Sequence, residues 1–220
     1  MLELARLGTP DGFWLCAERQ TAGRGRMGRR WQGGAGNLYA SALLRLKQGD
    51  PPASTLALVA GVALHKALCE YITTSMLRIK WPNDIMAGPA KVSGLLLERV
   101  DDAIIIGVGV NITHAPAVEG RKTTSLHDIG ADQCDATMLL HVLRRHLLTE
   151  RADWRERGVA HSIKLWLERA HAPGTALSVI APDGEKLEGC FHGLTEDGAL
   201  ILRNVQNKDH IIHAGDVFLI

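Results

Sequence analysis

Aromatic side chains are scarce in this chain: five tryptophans, three phenylalanines and two tyrosines make up 5% of 220 residues. Proteins that stack successive nucleic-acid bases need many exposed aromatics, so the scarcity speaks against such a platform. Net charge is nearly absent too, +1 at neutral pH, which leaves no general basic field for duplex nucleic acid. The four cysteines, Cys16, Cys69, Cys134 and Cys190, stand far apart without a C-x-x-C pair. Neither a disulfide framework nor a zinc knuckle is suggested, and a reducing, cytoplasmic compartment fits. No apolar run approaches the roughly 20 residues that span a bilayer, and the first residues lack the layout of a signal peptide, so no membrane partner is expected. None of the ten histidines falls into a paired ligand spacing. Cys190-Phe191-His192 comes nearest, and it reads as alternating faces of a strand.

What is present is ordinary for a soluble globular protein: 46% hydrophobic and 22% charged residues. The length allows one sizeable core, or one domain with a small appendage. Against this balance, positive charge gathers in residues 23–31, Gly-Arg-Gly-Arg-Met-Gly-Arg-Arg-Trp, which carry Arg24, Arg26, Arg29 and Arg30. The interleaved glycines let backbone N–H groups approach a ligand and permit positive φ. A loop of this kind wraps a phosphate or carboxylate with amides and guanidinium forks together. Gly23, Gly25 and Gly28 also satisfy the dinucleotide pattern Gly-x-Gly-x-x-Gly, which requires a helix opening at the third glycine. Residues 31–37, Trp-Gln-Gly-Gly-Ala-Gly-Asn, do not continue a helix. A solvated basic turn and an RGG-like nucleic-acid contact remain open; by itself the loop indicates an anionic small molecule or nucleic acid.

Around the loop the pattern predicts a short helix over 2–7 stopped by Gly8, a strand over 13–19 delivering Gln20, and a strand over 37–46 pairing back. After Pro51 and Pro52, apolar residues from Leu56 to Leu68 keep helical spacing, with Ser54 or Thr55 as cap. A strand over 76–80 ends at Trp81-Pro82. Lys80-Trp-Pro-Asn-Asp84 is the second informative stretch; Pro82 and Asn83 suit a plain strand-ending turn, while Lys80 and Asp84 at its ends are harder to dismiss. Lys91 and Gly94 then open an apolar strand reaching Glu98, and 103–112 is another, with Gly107 and Gly109 leaving one face bare. Two such strands side by side make a floor for a flat ligand.

Residues 113–134 read as a polar surface connection. Asp135 suits the cap of a helix running to about residue 170, with Arg151, Arg155, Glu156 and Arg157 on a solvated face and His146 packed. From Pro173 the pattern changes to four short strands with Asp183-Gly184 and Asp197-Gly198 turns. The division expected is 1–172 and 173–220, the second piece too small for much core of its own.

Taken together, Gln20 through Trp31, Lys80-Trp-Pro-Asn-Asp84, Lys91-Val-Ser-Gly94 through Glu98 and Gly107-Val-Gly-Val-Asn111 resemble the biotin protein ligase family in order and spacing, over nearly the whole chain. The resemblance implies an α+β fold: a mixed, mostly antiparallel sheet with packed helices, as in class II aminoacyl-tRNA synthetases, followed by a small all-β SH3-like barrel. It implies adenylation of biotin by Mg-ATP to biotinyl-5′-AMP, then transfer to a lysine of a biotin carboxyl carrier protein domain, of acetyl-CoA carboxylase or a similar enzyme. Arg24, Gly25 and Arg26 match the loop that closes over biotin and adenylate, and Gln20 matches a contact to the biotin head group. Gly94 falls beside biotin, and Lys91 matches the lysine between biotin's carboxylate and the α-phosphate. With Lys91, Arg24 and Arg26 are the catalytic candidates. Trp31, Lys80, Asn83, Asp84 and Asn111 complete the ATP site, with Asp84 a candidate for magnesium.

The family's Ser-Thr-Asn element, which lines the biotin pocket, precedes the helix with which this chain begins, and Met1 falls where that element ends. The expectation is a chain start placed too late. Without a helix-turn-helix domain, no DNA partner is expected; a homodimer is compatible with the family. The alternatives are a lipoate protein ligase-like acyl-adenylate transferase, a non-catalytic carrier-binding protein, and a nucleic-acid module using the Arg-Gly loop.

Overall fold

The computed structural model describes residues 1–220. A short helix α1 (Leu2–Arg6) leads through a turn into β1 (Phe13–Ala17), and the arginine loop separates it from β2 (Leu38–Arg45). Helix α2 (Leu56–Leu68) follows, then β3 (Leu77–Lys80), β4 (Asp84–Ala87), β5 (Ala90–Val100) and β6 (Ala103–Val110). These six strands form one sheet in the order β1-β2-β6-β5-β4-β3, every ladder antiparallel. Parallel pairing enters only as the isolated bridges Ile79 to Ala170 and Lys91 to Thr123.

Period-two alternation decides what each face of the sheet carries. Leu38, Ala40, Ala42 and Leu44 of β2, with Ile104, Ile106, Val108 and Val110 of β6, enter the main core with α2 and with α3 (Ala136–Leu167). The opposite face carries three cross-strand rows, Gly94-Gly109-Tyr39, Leu96-Gly107-Ser41 and Glu98-Ile105-Leu43. At its far end α1 packs Ala5 over Leu43, Ala103 and Ile105.

The helices deserve two corrections. Thr55 does stand at the N-cap of α2 but makes no side-chain capping bond: it ends a 3-10 turn, where Oγ1 donates to the Pro52 carbonyl at 2.6 Å and accepts from Trp154 Nε1 at 2.8 Å. Nor are Arg151 and Arg155 solvated. Arg151 is buried, donating to Asp11 at 2.9 Å and to the Arg45 carbonyl at 3.3 Å, while Arg155 grips both carboxylate oxygens of Asp50 at 2.8 Å. Only Glu156 and Arg157 of that group are exposed. Asp135 does cap α3, accepting from the Met138 N–H at 2.7 Å, and the helix breaks at Gly158, whose φ is 77°. His146 meets Glu70 at 2.6 Å.

The C-terminal segment is a second sheet of five strands, one more than the pattern predicts. They are β7 (Ala176–Ile180), β8 (Lys186–Leu194), β9 (Leu200–Arg203), β10 (Asp209–Ile212) and β11 (Asp216–Leu219), in the order β10-β9-β8-β7-β11. The last run divides because Gly215, at φ 157°, turns the chain so that β11 pairs with β7. Leu177, Val179, Phe191, Leu200, Leu202, Ile212 and Val217 join the same buried cluster as α2 and α3. No helix is long and apolar enough to cross a membrane.

Candidate active site

The glycine rows floor a cavity of about 680 Å³ on the face away from α2 and α3. Its roof is the arginine loop, folded back as a narrow hairpin: Trp31 N–H donates to the Gly23 carbonyl at 2.9 Å and Gly25 N–H to the Arg29 carbonyl at 2.7 Å. Between them Arg26–Gly28 makes a single 3-10 turn with Met27 at φ 54°. The loop therefore opens no helix, and the dinucleotide reading fails on geometry.

Three arginines fasten this roof to three different walls. Arg24 Nη2 lies 3.0 Å from both oxygens of Glu98 on β5, Arg26 reaches Asn83 at 3.5 Å, and Arg29 meets Asp216 of β11 at 2.5 Å. Under the roof the Trp31 indole lies on the glycine floor. A Cβ on Gly109 would fall 2.5 Å from the indole, so only glycine admits the ring there, while one on Gly94 would press on Lys91 Nζ at 2.9 Å and on the indole at 3.2 Å.

One end of the floor is strongly cationic. Lys91 Nζ stands 2.6 Å from Asp84 Oδ1 and 5.3 Å from the Trp31 ring centroid, and Lys80 Nζ stands 3.6 Å from Asp84 Oδ2. Lys80 also donates to the Val217 carbonyl at 2.9 Å. Burial lowers the pKa of Lys80 and of Arg26, and the Asp84 and Asp216 carboxylates oppose the shift in both. Cations stripped of water in this way favour an anionic ligand. Asp84 is placed by the turn that the cis Trp81-Pro82 bond opens, and Asn83 Nδ2 secures that turn by donating to the Leu95 carbonyl.

Two buried polar atoms in the cleft have no partner, Trp31 Nε1 and Asn111 Oδ1. The Asn111 amide is oriented by Nδ2, which donates to the Thr124 carbonyl at 3.2 Å, so its oxygen is the free atom. A buried acceptor left unpaired is unusual and marks a place for a donor.

Residues 4–111 match the Biotin/lipoate A/B protein ligase family, and residues 178–220 match the Biotin protein ligase C terminal domain. A biotin-[acetyl-CoA-carboxylase] ligase of Paracoccus denitrificans is 34% identical, over 96% of this chain and 92% of the relative. This chain belongs to the biotin protein ligase family. A second ligase of that name, from Mycobacterium tuberculosis, is 32% identical over 94% of this chain and 79% of its own length. Among solved structures, the biotin protein ligase from Aquifex aeolicus in complex with biotin and ATP superposes with a TM-score of 0.85 at 27% identity, covering 99% of this chain and 94% of that one.

For a biotin ligase fold the cleft collects what the motifs scatter along the chain: Gln20, Arg24, Gly25, Arg26, Trp31, Lys80, Asn83, Asp84, Lys91, Gly94 and Asn111 all line it. None of the residues singled out lies elsewhere. Several contributors were missed. Asp216 and Val217 come from the second sheet, expected only to pack against the first. Arg121 and Thr123 come from residues 113–134, taken for a surface connection. That segment is a cleft wall because Lys91 bonds to it on both sides, its N–H to the Lys122 carbonyl at 2.9 Å and its carbonyl from the Thr124 N–H at 3.0 Å. Glu98, the end of the Lys91 strand in the motif, had no assigned role and is the anchor of Arg24. The one advance signal for the 113–134 wall is Arg121-Lys122, a basic pair within an otherwise mixed connection.

Proposed function

We propose that this ligase activates biotin with ATP and hands it to a lysine of a biotin carboxyl carrier domain, with the Lys91 end of the cleft as the place of phosphoryl chemistry. Biotin's carboxylate attacks the α-phosphorus, pyrophosphate leaves, and biotinyl-5′-AMP forms. A neutral lysine amine then attacks the acyl carbon and AMP departs with the phosphate oxygen. No group of the enzyme needs to become covalently attached, so its contribution is alignment and charge stabilisation.

The carrying observation is the Lys91–Asp84–Lys80 cluster at the end of a glycine floor beneath an arginine roof. Lys91 is a compact ammonium held in one position by Asp84, suited to bridge the entering carboxylate and the α-phosphate. Lys80 and Arg26 face the pyrophosphate being released, and Arg24 and Gly25 close over the adenylate. Gln20 and Gly94 sit with the biotin rings. Trp31 offers the flat face for adenine, and Asn111 Oδ1 accepts from its exocyclic amine.

Magnesium fits as a companion of the nucleotide. No group of three His, Cys, Asp or Glu side chains could hold a metal ion, and both oxygens of Asp84 already face Lys91 and Lys80, so Mg²⁺ would be held mainly by the substrate phosphates and water, with Asp84 as the nearest carboxylate. When bound, it neutralises phosphate charge. The acetyl-CoA carboxylase in the relatives' names supports a carboxylase carrier domain as acceptor. The roof, pinned by Arg24, Arg26 and Arg29, keeps water from the reactive anhydride.

The test is biotin-dependent exchange of labelled pyrophosphate into ATP. The expected result is exchange that requires biotin, ignores lipoate, and falls about 100-fold or more in Lys91→Ala, the usual worth of a donor aimed at developing charge. Exchange supported by lipoate as well as biotin would overturn the biotin reading.

A further inference from the structure

Asn37 lies outside the cleft lining, yet it ties two parts of the site together. It is almost fully buried and ends the glycine-rich exit of the arginine loop, a few residues after Trp31. Its Oδ1 accepts from the backbone N–H groups of Ile112 at 2.9 Å, Thr113 at 3.0 Å and His114 at 3.2 Å. Its Nδ2 donates to the His114 carbonyl at 2.8 Å. These are the three residues that follow Asn111.

The same two segments touch at further points. Thr113 Oγ1 donates to the Ala35 carbonyl at 3.1 Å, and a Cβ on Gly36 would fall 2.6 Å from that hydroxyl. Tyr39, in the row of Gly109, donates to the Gly34 carbonyl at 2.9 Å. The exit from Trp31 and the turn after Asn111 are thus one interlocked unit. A buried side-chain network of this kind, with every bond satisfied, fixes a single arrangement.

We propose that Asn37 is a positioning residue that sets base selectivity at the nucleotide site, by holding the 112–114 turn so that Asn111 presents only its oxygen to the base. The inference rests on the reading of Asn111 as the contact to adenine. An amide locked through Nδ2 offers an acceptor, which suits the amino group at the 6-position of adenine. Guanine brings a carbonyl oxygen to that position, setting acceptor against acceptor. An amide free to rotate could offer either end, and the distinction would fade.

The experiment measures kcat/KM for ATP and for GTP in biotin-dependent pyrophosphate exchange, with the KM for biotin recorded alongside. Asn37→Ala is expected to lower the ATP-over-GTP ratio about tenfold and raise the KM for ATP, while the KM for biotin stays within about twofold. A folded Asn37→Ala that keeps the ratio, or that weakens ATP and biotin equally, overturns the proposal. If Asn37→Ala does not fold, Thr113→Val carries the test: a ratio lowered about two- to fourfold supports the tie, and an unchanged ratio overturns it. Asn111→Ala separates the two layers. Loss of selectivity there with none in Asn37→Ala sinks only the positioning role; selectivity kept in both sinks the adenine contact. Loss in Asn37→Ala alone overturns the route through Asn111.

Discussion

Gly109 shows how much chemistry can rest on a missing side chain. It sits in the row Gly94-Gly109-Tyr39 under the Trp31 indole, with room for no atom beyond its α-carbon. Its φ is not in the left-handed region, so alanine is acceptable to the backbone and objectionable only to what lies on the floor. Gly109→Ala should therefore fold with nearly the parent's stability, displace the indole, and depress pyrophosphate exchange by about 100-fold, the cost that a misplacement of about 1 Å can carry. Gly107→Ala, whose Cβ would meet the Leu96 carbonyl at 3.4 Å, should be far milder, and equal losses in the two variants would refute the floor. The bare floor was legible because two strand glycines two residues apart leave one face empty. That Trp31 itself lies on the floor was not, because nothing local records how a loop folds back over a sheet. His65 gives a second residue-scale expectation. Burial in α2 pushes its imidazole down to about 4 from 6.5, with Arg169 and Arg78 adding to the shift and the Leu77 carbonyl opposing it. The folded pKa lies below the unfolded one, so the unfolded chain takes up the proton first. Stability is complete above pH 6.5 and is lost as pH falls toward 4, by about 3 kcal/mol in all. Urea titrations between pH 7 and 5 should show this decline, and His65→Asn should flatten most of it, with half-buried His171, also shifted down by desolvation, supplying the remainder.

Helix α3 illustrates why an element can be found without its faces being read correctly. Its start was plain from Asp135, and its apolar repeat from Leu139, Leu143 and Leu147. The stripe, however, continues in phase through Glu150, Arg151 and Trp154, all buried. Charged residues in that phase look solvated unless their partners are known, and the partners lie far away in sequence: Lys66 for Glu150 at 2.5 Å, and Asp11 for Arg151. Arg151 and Arg155 together bind the carbonyl of Arg45 and the carboxylates of Asp11 and Asp50, so α3 grips the open end of the β1–β2 hairpin, where β1 begins and β2 finishes, opposite the arginine loop. Arg151→Ala should cost about 1–3 kcal/mol in chemical denaturation, moderated because Asp11 can be rehydrated. Arg157→Ala, at an exposed pair with Asp153 at 3.3 Å, should change stability by no more than about 0.5 kcal/mol. Equal effects would mean that Arg151 is solvated after all.

At the scale of the molecule, the change of pattern after Pro173 marked a second small sheet, and its size implied dependence on the first. What lay beyond local pattern was the depth of that dependence. Phe191 of β8 meets Trp166 of α3 edge to face at 6.3 Å between ring centres. Trp81 Nε1 donates to the Gly198 carbonyl at 3.1 Å, and Lys80 and Arg29 reach Val217 and Asp216 of β11. The motif that carries Asp84 and the last strand of the chain are therefore bonded to each other directly. One buried cluster of 41 residues spans both sheets, and a sheet of this size has too little core to stand alone. Calorimetry should show a single unfolding transition whose van't Hoff and measured enthalpies agree. Phe191→Ala should move that whole transition downward, by about 3–5 kcal/mol for a buried ring removed from a shared core, and the Asp84 end of the cleft should lose its ligands over the same temperatures. Were the second sheet independent, the same substitution would split off a small early transition and leave the main one unmoved. The direct bonds from Trp81, Lys80 and Arg29 into that sheet argue for the first outcome, since freeing it strips the cationic end of the cleft of three of its supports.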